Sequence, residues 1–287
     1  MGINKGTMTM KKTYVDYDYE AEYQKQIENL SEYELQRLLK EQKVPYLYKT
    51  KKTTSGRMVE LEIYPVFEHK SNIPRDRIRK TRNAQRNLND KNARKMFVRL
   101  LCTNFSNGDY FGTFNYEVHP ASIEEAEKLV INYIRRLNHR RKKLGLPNTK
   151  YLIITEQSKN GRIHHHIIMD SLLDRDTVED MWKHGKRNHL RRLAEDDFGL
   201  TGLATYLSKD PKGRKRWKGS RNLKKPKQTA SFSKYKKRRV LRMVRNQNMI
   251  ETEMAKDFPK NKFLDAEVRH NGINGLFYIY VRMVRKE

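Results

Sequence analysis

The residues with the clearest potential for chemistry are three consecutive histidines, His164, His165 and His166. They lie in an apolar, β-branched run, and a second such run, Tyr151–Ile154, precedes the turn pair Asn160-Gly161, so the stretch is predicted to form a β-hairpin. Successive side chains of a strand point to opposite faces. His164 and His166 therefore lie side by side on one face, in an arrangement typical of metal ligands.

Glu156 can join the two histidines only if the hairpin loop has the right length. A two-residue Asn160-Gly161 loop would pair Gln157 with His164 and leave Glu156 on the face of His165. A three-residue loop that includes Lys159, with Gly161 in the left-handed conformation, pairs Glu156 with His164. We predict the three-residue loop.

A simpler interpretation is that the histidines are a surface tract or packing residues without function. The neighbouring residues argue against it, because Ile163, Ile167 and Met169 share the parity of His165. That face is predicted to pack on a core, which leaves the face of His164 and His166 available for chemistry.

The flanking elements indicate an α+β fold. We predict a buried strand over Met96–Phe105, an alternating strand over Tyr110–Val118 and a helix from Ile123 to Leu144 that is capped by Ser122. The hairpin follows this helix. The order of strand, strand, helix, strand, strand favours an antiparallel sheet with helices packed on one face.

Outside residues 96–169, the patterns that predict helices and strands are weaker. We predict helices near Tyr19–Gln42, Asp176–Trp182, His189–Asp197 and Tyr235–Met254, and strands near 46–51, 58–67, 263–269 and 276–284. The basic segment 75–95 fits a solvated helix and a phosphate-contacting arm equally well. The single cysteine, Cys102, excludes an internal disulfide and is interpreted as a buried small hydrophobe.

Downstream of the hairpin, Tyr206 and Lys209 lie in a short segment, Leu203–Asp210, that Pro211 ends. The segment is predicted to be helical, and residues three apart share a face of a helix. A tyrosine with a lysine three residues later is a weak pattern in a basic protein. The pattern is informative here because it follows a hairpin that carries candidate metal ligands.

The charge balance predicts a nucleic-acid partner. The 287 residues include 62 Lys or Arg and 34 Asp or Glu, which gives a net charge of +28 and a pI of about 10.0. A polyanion is the natural partner of such a surface, and no apolar run approaches the 18 residues of a membrane span. We therefore expect a soluble protein with no membrane partner, and the single cysteine agrees with a cytoplasmic location.

Half of this excess lies in residues 209–239, which contain 15 Lys or Arg and one Asp. Trp217, Phe232 and Tyr235 are interleaved with the charges, a composition typical of surfaces that stack unpaired bases, although a flexible basic linker is the alternative. The predicted DNA-binding residues are Arg214, Lys215, Arg216, Trp217, Lys218, Arg221, Lys224 and Lys225.

Taken together, the histidine strand, Glu156 and the Tyr206-Leu-Ser-Lys209 sequence resemble the HUH endonucleases, and most of all the single-tyrosine rolling-circle replication initiators of bacterial plasmids, phages and mobile elements. The resemblance covers about residues 94–212. The family's first motif would fall on Leu100–Phe105, an apolar strand. Most members have an apolar residue where this chain has His165, and a two-tyrosine initiator would carry a second Tyr at position 210, where this chain has Asp.

The resemblance implies a central five-stranded antiparallel sheet with His164 and His166 on a central strand. It also implies that these residues and Glu156 hold Mg²⁺ or Mn²⁺, that Tyr206 attacks a phosphodiester of single-stranded origin DNA to form a 5′-phosphotyrosine, and that Lys209 assists. No phosphate-binding Gly-rich loop is present in the sequence. A host helicase and DNA polymerase are therefore the expected partners in the bacterial cytosol.

The sequence is thus divided into an N-terminal basic extension (1–93), a nicking domain (94–212) and a basic, aromatic-rich segment with a C-terminal helix and hairpin (213–287). Two alternatives remain open. A conjugative relaxase or single-strand transposase would use the same chemistry, and a non-catalytic nucleic-acid-binding protein would use the histidines only for packing.

Overall fold

The computed structural model describes residues 46–66, 82–185, 188–208, 216–271 and 275–286. The described strands are β1 (Leu47–Ser55), β2 (Met58–Val66), β3 (Tyr110–Asn115), β4 (Tyr151–Gln157), β5 (Ile163–Met169), β6 (His189–Arg192), β7 (Lys218–Gly219), β8 (Lys227–Ser231), β9 (Asn261–Asn271) and β10 (Leu276–Arg285). The described helices are α1 (Arg82–Asn104), α2 (Ile123–Lys143), α3 (Arg175–Asp180), α4 (Thr201–Leu207), α5 (Lys237–Arg245) and α6 (Met249–Asp257).

The strands form two five-stranded antiparallel sheets, which confirms the α+β class. Sheet B has the order β6-β3-β5-β4-β7, so the histidine strand β5 is central. Sheet A has the order β8-β1-β2-β10-β9 and joins strands from both ends of the described chain. The sequence predicted the four longer strands of sheet A, and the last two as a hairpin, but not that β2 pairs with β10 to join them into one sheet.

Helix α2 covers one face of sheet B as expected. The Ser122 hydroxyl accepts a hydrogen bond from the Glu125 amide at 3.1 Å and caps the first turn. The apolar stripe of α2 (Val130, Tyr133, Ile134) is buried against Ile163, Ile167 and Met169 of β5. The face that carries His165 is therefore the core face that strand parity predicted.

The prediction of a strand over Met96–Phe105 is wrong, because these residues form the end of α1 and the turn after it. Phe97, Leu101 and Phe105 are four residues apart, so a helix brings them to one side, where they pack on Ile154 and Ile168 of sheet B. The expected match of the family's first motif to a strand at 100–105 fails for the same reason. Helices consequently cover both faces of sheet B rather than one.

The opposite side of α1 contacts sheet A through ion pairs. Arg99, buried in the helix, pairs with Glu60 and Glu62 of β2, and Lys95 also pairs with Glu62. The turn between β1 and β2 presses against the same helix at Gly56, whose φ is +61°. A Cβ at Gly56 would lie 2.0 Å from the Cys102 carbonyl oxygen, so only glycine fits there.

Two further helix predictions need correction. The predicted helix at His189–Asp197 is instead the edge strand β6, which hydrogen-bonds to β3. The predicted helix at Tyr235–Met254 is two helices, α5 and α6, because Asn246 adopts an extended conformation between them. The predicted helix at Tyr19–Gln42 lies outside the described residues.

None of the helices in the described part of the chain is long and apolar enough to cross a membrane.

Candidate metal and nucleophile site

The hairpin loop has the predicted length and register. Ser158 donates its amide to the Arg162 carbonyl at 2.8 Å, so the loop consists of residues 159–161, and Gly161 has a φ of +78°. Glu156 pairs directly with His164 across β4 and β5. The carboxylate and both even-numbered histidines therefore share one face of sheet B.

The three side chains converge on one point. Glu156 Oε2 lies 3.7 Å from Nε2 of His164 and 3.7 Å from Nε2 of His166. One ligand atom from each of the three residues lies within 4.8 Å of the others, so the group can hold a metal ion. The donor set fits such an ion chemically, because two imidazoles and one carboxylate bind divalent metals and leave coordination positions for a substrate.

Thr113 of β3 orients His166, and the sequence analysis missed it. Its hydroxyl lies 3.0 Å from His166 Nδ1, and the two residues are register partners in the β3–β5 pairing. When Nδ1 carries the proton and donates it to Thr113, Nε2 keeps its lone pair for a metal. No local pattern could reveal Thr113, since its role depends on which strand pairs with β5.

His165 points to the other face, as strand parity requires. Its ring is fully buried, with Nε2 at 2.8 Å from the Tyr116 hydroxyl and Nδ1 at 3.0 Å from the Thr155 hydroxyl. Burial, with a smaller repulsion from His164, lowers the pKa of His165 to about 3. His165 is therefore a neutral, hydrogen-bonded core residue that fixes the strand on which its neighbours lie.

Tyr206 lies on the same side of sheet B as the metal ligands. Helix α4 buries Ala204 and Leu207 against the core, which turns Tyr206 outward, so that it is 53% exposed. Its ring centroid is 6.2 Å from that of His166, and the ring planes are inclined at 67°. An exposed phenol beside the candidate metal ligands is well placed to react with a bound substrate.

The C-terminal end of α4 is held by Arg216. This buried guanidinium donates a hydrogen bond to the Ser208 carbonyl, at the C-cap of the helix, and pairs with Asp90 of α1. Arg216 was predicted to bind DNA, but the structure buries it among protein groups. Lys209, the predicted partner of Tyr206, lies outside the described residues.

The other predicted DNA-binding residues fall into three groups. Trp217 is partly buried, with its ring 5.1 Å from the Phe97 ring, and Lys218 pairs with Glu127. Arg221, Lys224 and Lys225 are exposed. Arg214 and Lys215 lie outside the described residues.

The described part of the basic segment follows a defined path, unlike a flexible linker. Ser220 exchanges hydrogen bonds with the backbone of Tyr151, and the Asn104 side chain bonds both the amide and the carbonyl of Lys224. Strand β7 of this segment extends sheet B and β8 extends sheet A. The segment 216–231 therefore links the edges of the two sheets.

Strand β6 adds residues that the sequence analysis assigned to a helix. Arg191 is the register partner of Phe111, and its guanidinium lies 5.1 Å from the Phe111 ring centroid. The Phe111 ring in turn stacks on His166, with centroids 5.7 Å apart and planes at 19°. An exposed cation therefore borders the candidate metal site on the side away from the hairpin loop.

A comparison with protein-family models finds one match, over residues 109–211, to the family described as replication-associated protein ORF2/G2P. The matched stretch runs from the turn before β3 past the end of α4, so it includes Glu156, His164, His166 and Tyr206. No curated protein and no solved structure matches the chain. The family match supports a role in the initiation of DNA replication.

Proposed function

We propose that the protein is a metal-dependent endonuclease and strand transferase that cuts single-stranded origin DNA through Tyr206 and so starts rolling-circle replication. The observation that carries the proposal is the position of the Tyr206 ring, 6.2 Å from that of His166, which belongs to a two-histidine, one-carboxylate cluster. A structural histidine strand needs no exposed phenol beside it. The match to a replication-associated family supports a role in the initiation of DNA replication, with which this reaction is consistent.

The reaction exchanges one phosphodiester for another. The Tyr206 oxygen attacks phosphorus and loses its proton, the bond to the 3′ oxygen breaks, and that oxygen takes up a proton. The products are a 5′-phosphotyrosine and a free 3′-hydroxyl. The bond energy is conserved in the protein–DNA link, so the reverse reaction can rejoin strands without ATP.

Glu156, His164 and His166 would hold Mg²⁺ or Mn²⁺, which when bound would supply Lewis-acid stabilisation of charge on the phosphate. Two imidazole ligands favour Mn²⁺ over Mg²⁺. Thr113 keeps the Nε2 lone pair of His166 directed at the metal position. We assign Lys209 the stabilisation of charge on the phosphate.

The single strand would run past the exposed Tyr206 and the metal-ligand residues at the edge of the helices on that face of sheet B. Arg191 lies at one side of the site, and the exposed Arg221, Lys224 and Lys225 lie on the segment that extends the other edge of the sheet. Cations on both sides of the nucleophile can hold the backbone of a strand that passes over it. A host helicase and polymerase would then extend the freed 3′ end.

The proposal is tested by looking for an adduct of the protein with DNA that resists denaturation. Labelled single-stranded oligonucleotides from the protein's own replicon are incubated with the protein and Mn²⁺ or Mg²⁺, then separated under denaturing conditions. We expect an adduct that disappears with a chelator and in Tyr206→Phe, and that weakens at least 100-fold in His164→Ala and His166→Ala.

A matched control is Tyr64→Phe, which removes a phenol from β2 of sheet A and leaves sheet B intact. This variant should form the adduct as the wild type does. An adduct that survives in Tyr206→Phe rejects the nucleophile. The absence of any adduct across the whole oligonucleotide set supports the non-catalytic binding protein instead.

A further inference from the structure

Four cations that the nicking reaction does not use gather on the far face of sheet A. We call this group the sheet A cluster. It consists of Lys52 of β1, Lys227 of β8, Lys234, which follows β8, and Arg285 of β10. The ammonium groups of Lys52 and Lys234 lie 5.3 and 3.9 Å from the centroid of the same Phe258 ring. Lys227 and Arg285 are exposed.

The cluster lies on the side of sheet A that faces away from α1. Lys52 has the same strand parity as Tyr48, which packs in the core beneath α5 and α6, whereas Glu62 and Lys51 point to α1. Sheet A and α1 therefore separate the cluster from the site on sheet B. DNA bound at the cluster would be a different stretch from the strand at Tyr206.

Acidic residues compensate the cluster only in part. Among the described residues, none of the four cations lies within 4 Å of a carboxylate, and Asp257, whose charge is attracted to Lys234, pairs with Arg239 at 3.1 Å. Burial, with repulsion from Lys234, Arg285 and Lys227, lowers the pKa of Lys52. Such like-charge crowding costs folding energy, which an external polyanion would offset.

The positive surface continues along the start of α5. Lys236, Lys237 and Arg238 are exposed, and the first turn of this helix carries no acidic residue. Arg239 and Arg242 of the same helix are already paired with Glu253. Among the described residues, Lys236, Lys237 and Arg238 have no carboxylate within 4 Å, so they add to the positive charge that Lys234 begins.

The chemistry of this surface fits duplex rather than single-stranded DNA. Surfaces that bind single strands offer open aromatic faces on which bases stack. Here Phe258 is covered by two lysines, Lys237 lies 4.4 Å from the Tyr46 ring centroid, and Tyr235 is fully buried. The exposed Phe232 ring lies 5.3 Å from the Lys49 ammonium, and Lys49 has the strand parity of Lys51, which points to α1, so this ring belongs to the opposite face. A surface of cations without open rings contacts phosphates and leaves the bases paired.

We propose that the sheet A cluster binds the phosphate backbone of the origin duplex next to the strand that sheet B cuts. The inference rests on the proposed nicking function, to which it adds a second DNA-binding surface. The protein would then hold the paired flank on sheet A and the unpaired strand on sheet B at the same time.

The test measures duplex binding as a function of salt, in a Tyr206→Phe background that cannot cut. A labelled 25-base-pair duplex is titrated with the parent and with Lys52→Gln/Lys227→Gln/Lys234→Gln/Arg285→Gln. Each lost phosphate contact should lower the slope of log K against log salt by about 0.9, so a fall of roughly 3 to 4 is expected. Affinity at 0.1 M salt should fall about 100-fold or more.

The matched control neutralises four exposed cations of α2 with Arg135→Gln/Arg140→Gln/Lys142→Gln/Lys143→Gln. It makes the same change in net charge and should keep most of the parent slope. If the salt slope falls equally in both variants, duplex binding depends only on net charge, and the inference is overturned. If the fourfold cluster variant does not fold, Lys227→Gln/Lys234→Gln should still lower the slope by about 2.

Other ligands are separated in the same experiment. If the cluster variant keeps duplex affinity but loses affinity for a single strand of equal length, or for phosphatidylserine vesicles, the surface has a different partner and the inference fails. With Tyr206 restored, the cluster variant should still form the adduct on a short single strand. An absent adduct in both proteins would reject the nicking function while the duplex comparison stayed valid.

Discussion

Replacing Thr113 by valine tests whether the second strand of sheet B prepares His166 for a metal. The Thr113 hydroxyl lies 3.0 Å from His166 Nδ1, and the histidine is only 5% exposed, so water cannot easily take the place of the hydroxyl. Valine has nearly the same shape as threonine, so no cavity forms. The substitution removes a single hydrogen bond.

The expected effect follows from the position of the proton. In the metal-free variant, the His166 proton can move to Nε2, where it faces Glu156 at 3.7 Å. Metal binding forces the proton back to Nδ1, where valine offers no acceptor. An unsatisfied buried N–H costs about 1 to 3 kcal/mol, and loss of comparable hydrogen bonds to metal ligands lowers affinity about 10- to 100-fold, so the two estimates agree.

The affinity of each variant for Mn²⁺ is measured by calorimetry and, independently, from the electron paramagnetic resonance signal of the free ion. Thr113→Ser keeps the hydroxyl and should bind Mn²⁺ within about threefold of the wild type. The matched control is Thr155→Val, which removes a hydroxyl at the same distance, 3.0 Å, from the neighbouring His165. It should reduce the free energy of unfolding by about 1 to 3 kcal/mol and leave Mn²⁺ affinity unchanged.

The reasoning is wrong if Thr113→Val binds Mn²⁺ as tightly as the wild type. It is also wrong if Thr155→Val weakens Mn²⁺ binding as much as Thr113→Val does, since the effect would then reflect general loosening of β5.

Two further outcomes are expected. Arg216→Ala removes the hydrogen bond to the Ser208 carbonyl and the ion pair with Asp90. Adduct formation should therefore slow about 10- to 100-fold while Mn²⁺ affinity stays constant. If the variant and the wild type form the adduct at equal rates, Arg216 does not position Tyr206. Burial raises the pKa of the Cys102 thiol to about 11, so the folded protein gains stability from the protonated thiol below pH 9 and loses it as the pH rises towards 11. A thiol reagent at pH 8 should therefore modify Cys102 only in denaturant, and fast modification of the native protein would contradict its burial.

The parts of the site that the sequence predicted correctly are governed by local rules. Strand alternation places His164 and His166 on one face, and Gly161 has the positive φ that either loop length requires. The choice of the three-residue loop came from the need to bring Glu156 to the same face. The helix α2 follows from the cap at Ser122 and a regular apolar stripe. In both cases the information lies within about 20 consecutive residues.

The predictions from sequence are wrong where tertiary packing determines the secondary structure, the strand pairing or the burial of a residue. The apolar run from Phe97 to Phe105 is consistent with a strand by composition, but the four-residue spacing of its large side chains suits a helix between two sheets. The pairing of β2 with β10 joins segments more than 200 residues apart, which no local pattern encodes. Arg216 looked like a surface cation because sequence alone does not reveal Asp90 as its partner.

Helix α1 has a consequence for any attempt to isolate the catalytic part. The family match begins at residue 109, five residues after α1 ends, so a fragment cut at that boundary would lose Phe97 and Leu101 from the cover of sheet B. It would also lack both Glu60 and Arg99, whose ion pair joins α1 to sheet A. In topological terms, sheet B is inserted in the chain between β2 and β8 of sheet A, and α1 packs against both sheets. The matched stretch therefore leaves out part of the hydrophobic core that sheet B shares with α1.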